Sequence, residues 1–215
     1  MLFANRKGIL SFDGMEWVTN RLSVIPFAMQ KNPFDGSIYI GGENNFGVAK
    51  KDAGTNFTYL SLSGDSLFEG IITRIIFKES EIWFYSSQSI IRYDTDQKKA
   101  TLVLNSRQGE GFTGIFTNSS NTFINVAGKG LHRVESDSLF PIVTGYLTAD
   151  EEILFALPYN SSRVLVGMGN GNLSLFDGIK YYDFPLKDQG YLKNSILSEG
   201  MALGDTAYAF STLDG

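Results

Sequence analysis

The sequence predicts an all-β protein built from repeated four-stranded units. Three observations lead to this prediction: an acid-ended motif recurs along the 215 residues, glycine is frequent at 23 residues, and no dozen-residue stretch carries a helical apolar stripe. The repeated acids lie 39, 42, 41 and 42 residues apart, at Asp13, Asp52, Asp94, Glu135 and Asp177. A regular period of this length indicates a repeat architecture.

Each repeat is predicted to contain four short strands. In the third repeat they are ITRIIF (72–77), IWFYS (82–86), IIRY (90–93) and ATLVL (100–104). A turn residue stands five positions before each acid, at Gly8, Gly47, Ser89, Gly130 and Asn172. Four antiparallel strands every 41 or so residues are typical of a β-propeller blade. We expect the first, innermost strand of each blade to be the most apolar.

The repeats also predict how the chain is divided. Second strands are expected at 2–4, 38–41, 82–86, 123–127, 164–167 and 207–211, and the first strand of the second unit at VIPFAM (24–29). The division is a partial blade 1–22, blades 23–62, 71–105, 111–146 and 152–186, and a partial blade 195–215. The chain would hold about five blades' worth of a larger propeller. Chain–chain contacts are then expected at open blade edges.

The composition excludes several classes of function. The sequence has no cysteine and one histidine, which excludes thiol chemistry and disfavours His-based triads and His-rich metal sites. The net charge is −5, which argues against binding of a nucleic-acid backbone. No apolar run is long enough for a membrane span. We therefore predict no catalytic residue, no metal site, no cofactor, no nucleic-acid partner and no membrane insertion.

The repeat ANRKGILSFDGMEW (4–17) resembles the two-component regulator propeller repeat of bacteria. The same pattern recurs as GILSFD (8–13), SIIRYD (89–94) and NLSLFD (172–177), with GLHRVE (130–135) and GVAKKD (47–52) as weaker copies. That family forms the periplasmic sensor region of hybrid histidine kinases and related transcriptional regulators. The resemblance implies a periplasmic, seven-bladed β-propeller that senses an extracellular, carbohydrate-derived ligand and relays the signal to downstream domains.

Local motifs that could carry chemistry have simpler structural explanations. FDGMEW (12–17) and FDGIKY (176–181) lack the spacing of the sialidase Asp-box, so we interpret them as tight turns. Asp94 and Asp96 lack the further oxygen ligands that a calcium loop needs. The glycines of 167–171 precede no predicted helix, which excludes a phosphate-binding loop. The sequence therefore favours a non-enzymatic module.

Candidate ligand-binding residues lie in the turns between second and third strands and in the crossovers between blades. These segments offer amides and cationic groups that suit a carbohydrate or peptide ligand. The candidates are Arg6, Asn45, Gln88, Arg107, Lys129 and Asn170. One alternative is a protein-interaction or dimerisation scaffold without a small ligand. A less favoured alternative is a glycan hydrolase or lyase.

Overall fold

The computed structural model describes residues 1–52, 56–64, 68–106, 110–118, 121–135, 137–142, 151–204 and 207–213. The chain divides into two compact units, Met1–Arg107 and Gln108–Gly215, and each is described by itself. Nearly all of the regular structure in the described residues is antiparallel β-sheet, which confirms the predicted all-β class.

The first unit contains three antiparallel sheets. The first sheet has β1 (Leu2–Asn5), β2 (Gly8–Phe12) and β3 (Trp17–Arg21). The second sheet has β4 (Ala28–Lys31), β5 (Ile38–Gly41), β6 (Phe46–Lys51) and β7 (Phe57–Ser61). The third sheet has β8 (Arg74–Phe77), β9 (Glu81–Tyr85), β10 (Ser89–Asp94) and β11 (Lys99–Asn105). In each sheet the strands pair in chain order.

The second unit also contains three sheets, with strands again paired in chain order. The fourth sheet has β12 (Phe112–Asn118), β13 (Asn121–Val126), β14 (Gly130–Glu135) and β15 (Ser138–Pro141). The fifth sheet has β16 (Ile153–Pro158), β17 (Val164–Met168), β18 (Leu173–Phe176) and β19 (Tyr181–Asp183). After helix α1 (Gln189–Asn194), the sixth sheet has β20 (Leu197–Leu203) and β21 (Ala207–Thr212).

The repeated acid caps the turn between the third and fourth strands of its sheet. In three repeats its Oδ1 accepts hydrogen bonds from the backbone N–H groups two and three residues further on. The distances are 2.8 and 2.9 Å at Asp13, 2.9 and 2.7 Å at Asp94, and 2.8 and 2.9 Å at Asp177. This is the local hydrogen bonding that aspartate provides in turns. In these three repeats the cap of the outer hairpin explains the recurring acid, whereas Asp52 accepts the Asn56 N–H four residues further on.

The cores lie between successive sheets of the same unit. In the first unit, Ile9 packs with Ile40, Ala49 and Phe57 between the first and second sheets. A larger cluster fills the space between the second and third sheets and consists of Tyr39, Phe46, Val48, Phe68, Ile72, Ile75, Ile82, Phe84, Ile91 and Tyr93. Neighbouring residues of β5 thus enter different clusters, because successive side chains of a strand point to opposite faces.

The second unit repeats this arrangement. Between the fourth and fifth sheets the cluster consists of Phe116, Phe123, Leu131, Ile153, Val164, Val166, Met168, Phe176 and Tyr181. On the other face of the fifth sheet it consists of Phe155, Leu165, Leu173, Leu175, Leu192 and Leu197, with Tyr208 and Phe210 packed against it. Each inner sheet therefore carries apolar side chains on both faces.

Burial differs between the strands of a sheet. The second strand β17 is fully buried, because it has a partner strand on each side and a neighbouring sheet on each face, whereas the first strand β16 is only partly buried. One local expectation was wrong. The first strand expected at 24–29 begins at Ala28, since Pro26 has no N–H for a strand ladder. Helix α1 occupies the crossover between the fifth and sixth sheets, and the Asp188 side chain accepts the Tyr191 N–H at its start.

Candidate ligand-binding site

A cavity of about 400 Å³ lies at the end of the second sheet, where the turn between β5 and β6 is located. Three segments line it: residues 23–27 of the crossover into the sheet, turn residues Glu43 and Asn45, and the β7 side chains Tyr59 and Ser61. The volume lies within the range of about 300–1,000 Å³ that is usual for small-molecule sites. It is the first candidate site in this unit.

Backbone hydrogen bonds fix the turn at residues 42–45. The Gly42 N–H donates to the Asn45 carbonyl at 2.8 Å and closes the turn. The crossover that leads to the third sheet holds it from outside: Asn44 N–H donates to the Gly70 carbonyl at 2.8 Å, and Gly70 N–H donates to Asn44 Oδ1 at 2.7 Å. Asn44 takes a positive φ of 50°, which asparagine tolerates. The turn is therefore held in place without a ligand.

The opposite wall of the cavity depends on Gly42. The Phe27 N–H donates to the Gly41 carbonyl at 2.9 Å, and this bond places the crossover residues beside the turn. A Cβ at position 42 would overlap the Val24 side chain, so only glycine allows this close approach. Ile25 and Phe27 are 48% and 47% exposed, and both line the cavity. This wall gives the cavity an apolar and aromatic surface.

The polar wall is organised around the Asn45 side chain. Its Oδ1 accepts hydrogen bonds from the Tyr59 hydroxyl and from Ser61 Oγ, the latter at 3.2 Å. The Ser61 hydroxyl is also 3.1 Å from that of Ser63. With Oδ1 occupied, Nδ2 has no acceptor among the residues that the structure describes, and neither the Glu43 carboxylate nor Nδ2 is engaged within this wall. Both groups are available to a ligand.

Burial raises the pKa of the Tyr59 phenol well above its ordinary value. The phenol therefore stays neutral at physiological pH and keeps donating to Asn45. This bond fixes the direction of the Asn45 amide. Orientation of a binding group before the ligand arrives lowers the entropic cost of binding.

The groups in this cavity can bind a small ligand by hydrogen bonds and apolar contact. The cavity offers an N–H donor, a carboxylate acceptor and the apolar surface of Ile25 and Phe27. Glu43 is the single carboxylate among the described residues that line it. Glycosidases ordinarily use a pair of carboxylates. Among the described residues of the chain there is also no group of three or more His, Cys, Asp or Glu that could hold a metal ion.

In the first unit, the predicted site residues do not form a single cluster. Asn45 lies in the cavity. Gln88 is exposed in the equivalent turn of the third sheet, and its Oε1 lies 3.9 Å from where a Cβ on Gly70 would be. Asn45 and Gln88 thus both belong to turns next to the same crossover. Arg6 is exposed in the β1–β2 turn and does not line the cavity.

The remaining predicted residues lie in the second unit or outside the described residues. Lys129, in the β13–β14 turn, forms an ion pair with Glu110 at 2.8 Å. Asn170, in the β17–β18 turn, accepts the Asn172 N–H at 2.9 Å through Oδ1 and so supports its own hairpin. Arg107 lies outside the described residues. Ligand binding by these residues stays a prediction.

Sequence reasoning missed Tyr59, Ser61 and the wall formed by residues 23–27. Tyr59 and Ser61 lie on the fourth strand of the sheet, which the repeated motif does not cover. Their contact with Asn45 follows from the pairing of β6 with β7, in which Gly47 lies opposite Ser61. The pairing of the third strand with the fourth is therefore the feature from which Tyr59 and Ser61 could have been predicted.

No protein-family model matches the chain, and no curated protein matches it in sequence. Solved structures do resemble it. The extracellular domain of the putative one-component system BT4673 from B. thetaiotaomicron has a TM-score of 0.67 at 13% identity, over 93% of this chain and 29% of that one. YCF48 bound to D1 peptide has a TM-score of 0.67 at 15% identity, over 95% and 68%. The fold is a β-propeller.

A third similar structure is an enzyme. Catalytically inactive H270A virginiamycin B lyase from Staphylococcus aureus, with quinupristin, has a TM-score of 0.62 at 13% identity, over 98% of this chain and 76% of the lyase. At such identities the likeness concerns the fold alone, and the chain spans less than a third of the BT4673 domain. Among the described residues, no helix is long and apolar enough to cross a membrane.

Proposed function

We propose that the chain is a ligand-binding propeller module of a bacterial signalling regulator, and that it recognises a carbohydrate-derived extracellular ligand at the cavity beside the turn at 42–45. The observation that carries the proposal is the cavity itself. It combines a fixed turn, an oriented Asn45 amide, the Glu43 carboxylate and the exposed Phe27 ring. A few oriented polar groups beside apolar surface are characteristic of small-molecule sites.

Two further observations support the signalling context. The repeat of residues 4–17 resembles the two-component regulator propeller repeat, and the extracellular domain of BT4673, a putative one-component system, has a similar fold. Under this proposal the module lies in the periplasm, binds without chemical conversion and passes its occupancy to other domains of the regulator.

The proposal is tested by thermal stability in the presence of a carbohydrate library. A ligand that binds the folded state alone, at one hundred times its Kd, stabilises that state by about 2.7 kcal/mol. We expect Glu43→Gln and Phe27→Ala to weaken the stabilisation by any hit. Gln30→Ala is the control, because Gln30 is exposed on β4 and does not line the cavity. Hits that are equally strong with all three variants would place the binding elsewhere.

A self-associating scaffold is the second candidate function, and the outer face of the first sheet favours it. Phe3 and Trp17 are 41% and 56% exposed, and their ring centroids are 5.6 Å apart. By repeat register they are equivalent to Ile40 and Phe57, which are buried against a neighbouring sheet of this same unit. A sheet of a second copy would be a suitable cover, since an identical type of face already packs in this way.

Sedimentation velocity distinguishes this candidate from a monomeric binding module. Self-association that Trp17→Ser abolishes would support the scaffold. The control is Ile179→Ser, which removes an apolar side chain that is 72% exposed in the second unit. A chain that stays monomeric at high concentration would contradict the scaffold and leave the ligand-binding proposal unaffected.

A further inference from the structure

A second and larger cavity, of about 830 Å³, lies between the first and second sheets at the end opposite the turn at 42–45. We propose that this groove binds a short zwitterionic peptide with an apolar side chain. The peptide ammonium would lie against one wall, its carboxylate against the other, and its side chain on the floor. The proposal concerns a different site and ligand class from the proposed function and does not depend on it.

The two sheets are joined at one end of their interface and separate at the other. The backbone N–H of Phe57 donates to Asn20 Oδ1 at 3.3 Å, which links the first sheet to the second where both residues are buried. Ile9, Ile40 and Ala49 pack in the same closed part. Ala49 and Phe57 of this cluster also line the groove, so the groove begins beside the Asn20–Phe57 bond. The groove is thus a consequence of where the apolar contacts between the sheets end.

The wall formed by the first sheet carries two carboxylates, Asp13 and Glu16. Asp13 uses Oδ1 to cap its turn by accepting the N–H groups of Met15 and Glu16, and these backbone hydrogen bonds lower its pKa. It therefore stays ionised, and its second oxygen is not used by the turn. The Met1 amino group, on the same wall, donates to the Phe12 carbonyl at 2.7 Å. The positive charge of the Met1 ammonium also lowers the Asp13 pKa, so Asp13 is partly compensated and Glu16 is the main carboxylate for a cationic group of a ligand.

The wall formed by the second sheet carries Lys31 and Lys51. Both belong to the face that is turned towards the first sheet, because Lys31 pairs with Ile38 and Lys51 pairs with Phe57. Asp35 on this wall caps its own turn by accepting the Ser37 N–H at 2.8 Å. Among the described residues, neither lysine forms an ion pair with the opposite carboxylates. The groove therefore keeps the two charges apart.

The floor between the charged walls is apolar. Leu2 and Val18 line it from the first sheet, and Ile38 and Phe57 from the second. Burial of one leucine-sized or phenylalanine-sized side chain there would be favourable by the hydrophobic effect. A simple anion would engage the lysine wall alone, and a simple cation the carboxylate wall alone. A molecule with both charges and an apolar group fits the whole groove.

The test is calorimetry of the full chain with di- and tripeptides of Leu, Val and Phe, each in four forms: free, N-acetylated, C-terminally amidated and capped at both ends. We expect the free form to bind most tightly. Removal of either terminal charge should weaken binding roughly fivefold to tenfold, because exposed and half-buried ion pairs have modest energies. Equal binding of the doubly capped form, or no binding of any free peptide, would overturn the proposal.

Variants show whether the binding occurs in this groove. Glu16→Gln should reduce the preference for a free amino terminus, and the double variant Lys31→Ala with Lys51→Ala should abolish that for a free carboxylate. None of these side chains forms part of a core cluster. Lys99→Ala is the matched control, since Lys99 is exposed on β11 of the third sheet. Unchanged terminus preferences in both groove variants would overturn the proposal.

Discussion

The ring of Phe155 lies between two glycines, and this contact makes a specific prediction about stability. Phe155 is buried in β16, and it pairs with Gly167 of β17 in the same sheet. A Cβ on Gly167 would overlap the Phe155 ring, and a Cβ on Gly200 of β20 would lie 2.6 Å from its Cε2. The ring also stacks on Phe210, with centroids 5.7 Å apart. Phe155 therefore fills a space that both glycines leave open.

The perturbation is a double-mutant cycle of Gly167→Ala and Phe155→Ala. Alone, Gly167→Ala forces a methyl group against a ring that cannot move freely, which should cost about 1–3 kcal/mol. Phe155→Ala leaves a cavity and should cost about 3–5 kcal/mol. In the double variant the methyl group occupies space that the ring has left. The double variant should therefore be no less stable than Phe155→Ala alone.

The assay is urea unfolding followed by far-ultraviolet circular dichroism. Tryptophan fluorescence would be unsuitable, because Trp17 and Trp83 both belong to the first unit, whereas Phe155 belongs to the second. We expect a coupling energy of about 1–3 kcal/mol, in the range found for residues in contact. Costs that add to within about 0.5 kcal/mol would show that the ring does not lie over Gly167 and would refute the packing described here.

Three further predictions concern pH and the candidate site. Because burial raises the pKa of Tyr59, the unfolded chain loses the phenol proton at a lower pH than the folded chain, and the free energy of unfolding should fall as pH rises above about 10. Tyr59→Phe should reduce this fall in alkaline unfolding curves. Burial opposes ionisation of Asp177, but hydrogen bonds from the Tyr182 hydroxyl and two backbone N–H groups outweigh it and lower the Asp177 pKa. The ionised carboxylate should therefore stabilise the fold above about pH 4 and cease to do so below it, and acid unfolding curves of Asp177→Ala should lack this pH dependence. Gly42→Ala should displace Val24, lower the free energy of unfolding by about 1–3 kcal/mol and weaken ligand binding. An unchanged free energy of unfolding would show that the crossover does not pack against Gly42.

The repeat made the second strands predictable almost to the residue. IYIG was expected at 38–41 and β5 is Ile38–Gly41, while the segment expected at 164–167 became β17, Val164–Met168. A short continuous apolar run and a following turn residue specify such strands locally. The crossovers were less predictable, because their conformation depends on what they pack against. Helix α1 is only six residues long, and Leu192 joins the core beside Phe155 without any periodic apolar pattern in the sequence.

The candidate site was predictable in its position and not in its composition. The turn that contains Asn45 was expected from the repeat, and the structure places that residue in a cavity. The partners of its amide lie 14 and 16 residues further along the chain, on a fourth strand that the motif does not define. Long-range contacts of this kind arise from sheet register and from the path of the crossover over Gly42.

Backbone amide NMR of the 23.8-kDa chain is the most direct test of carbohydrate binding at the cavity beside the turn at 42–45. The chain is titrated with hits from a carbohydrate library. We expect the largest shift changes at residues 23–27, 43–45 and 59–61, and we expect Glu43→Gln to weaken binding in the titration. Shift changes confined to other segments, or no saturable change with any library member, would contradict carbohydrate binding at this cavity.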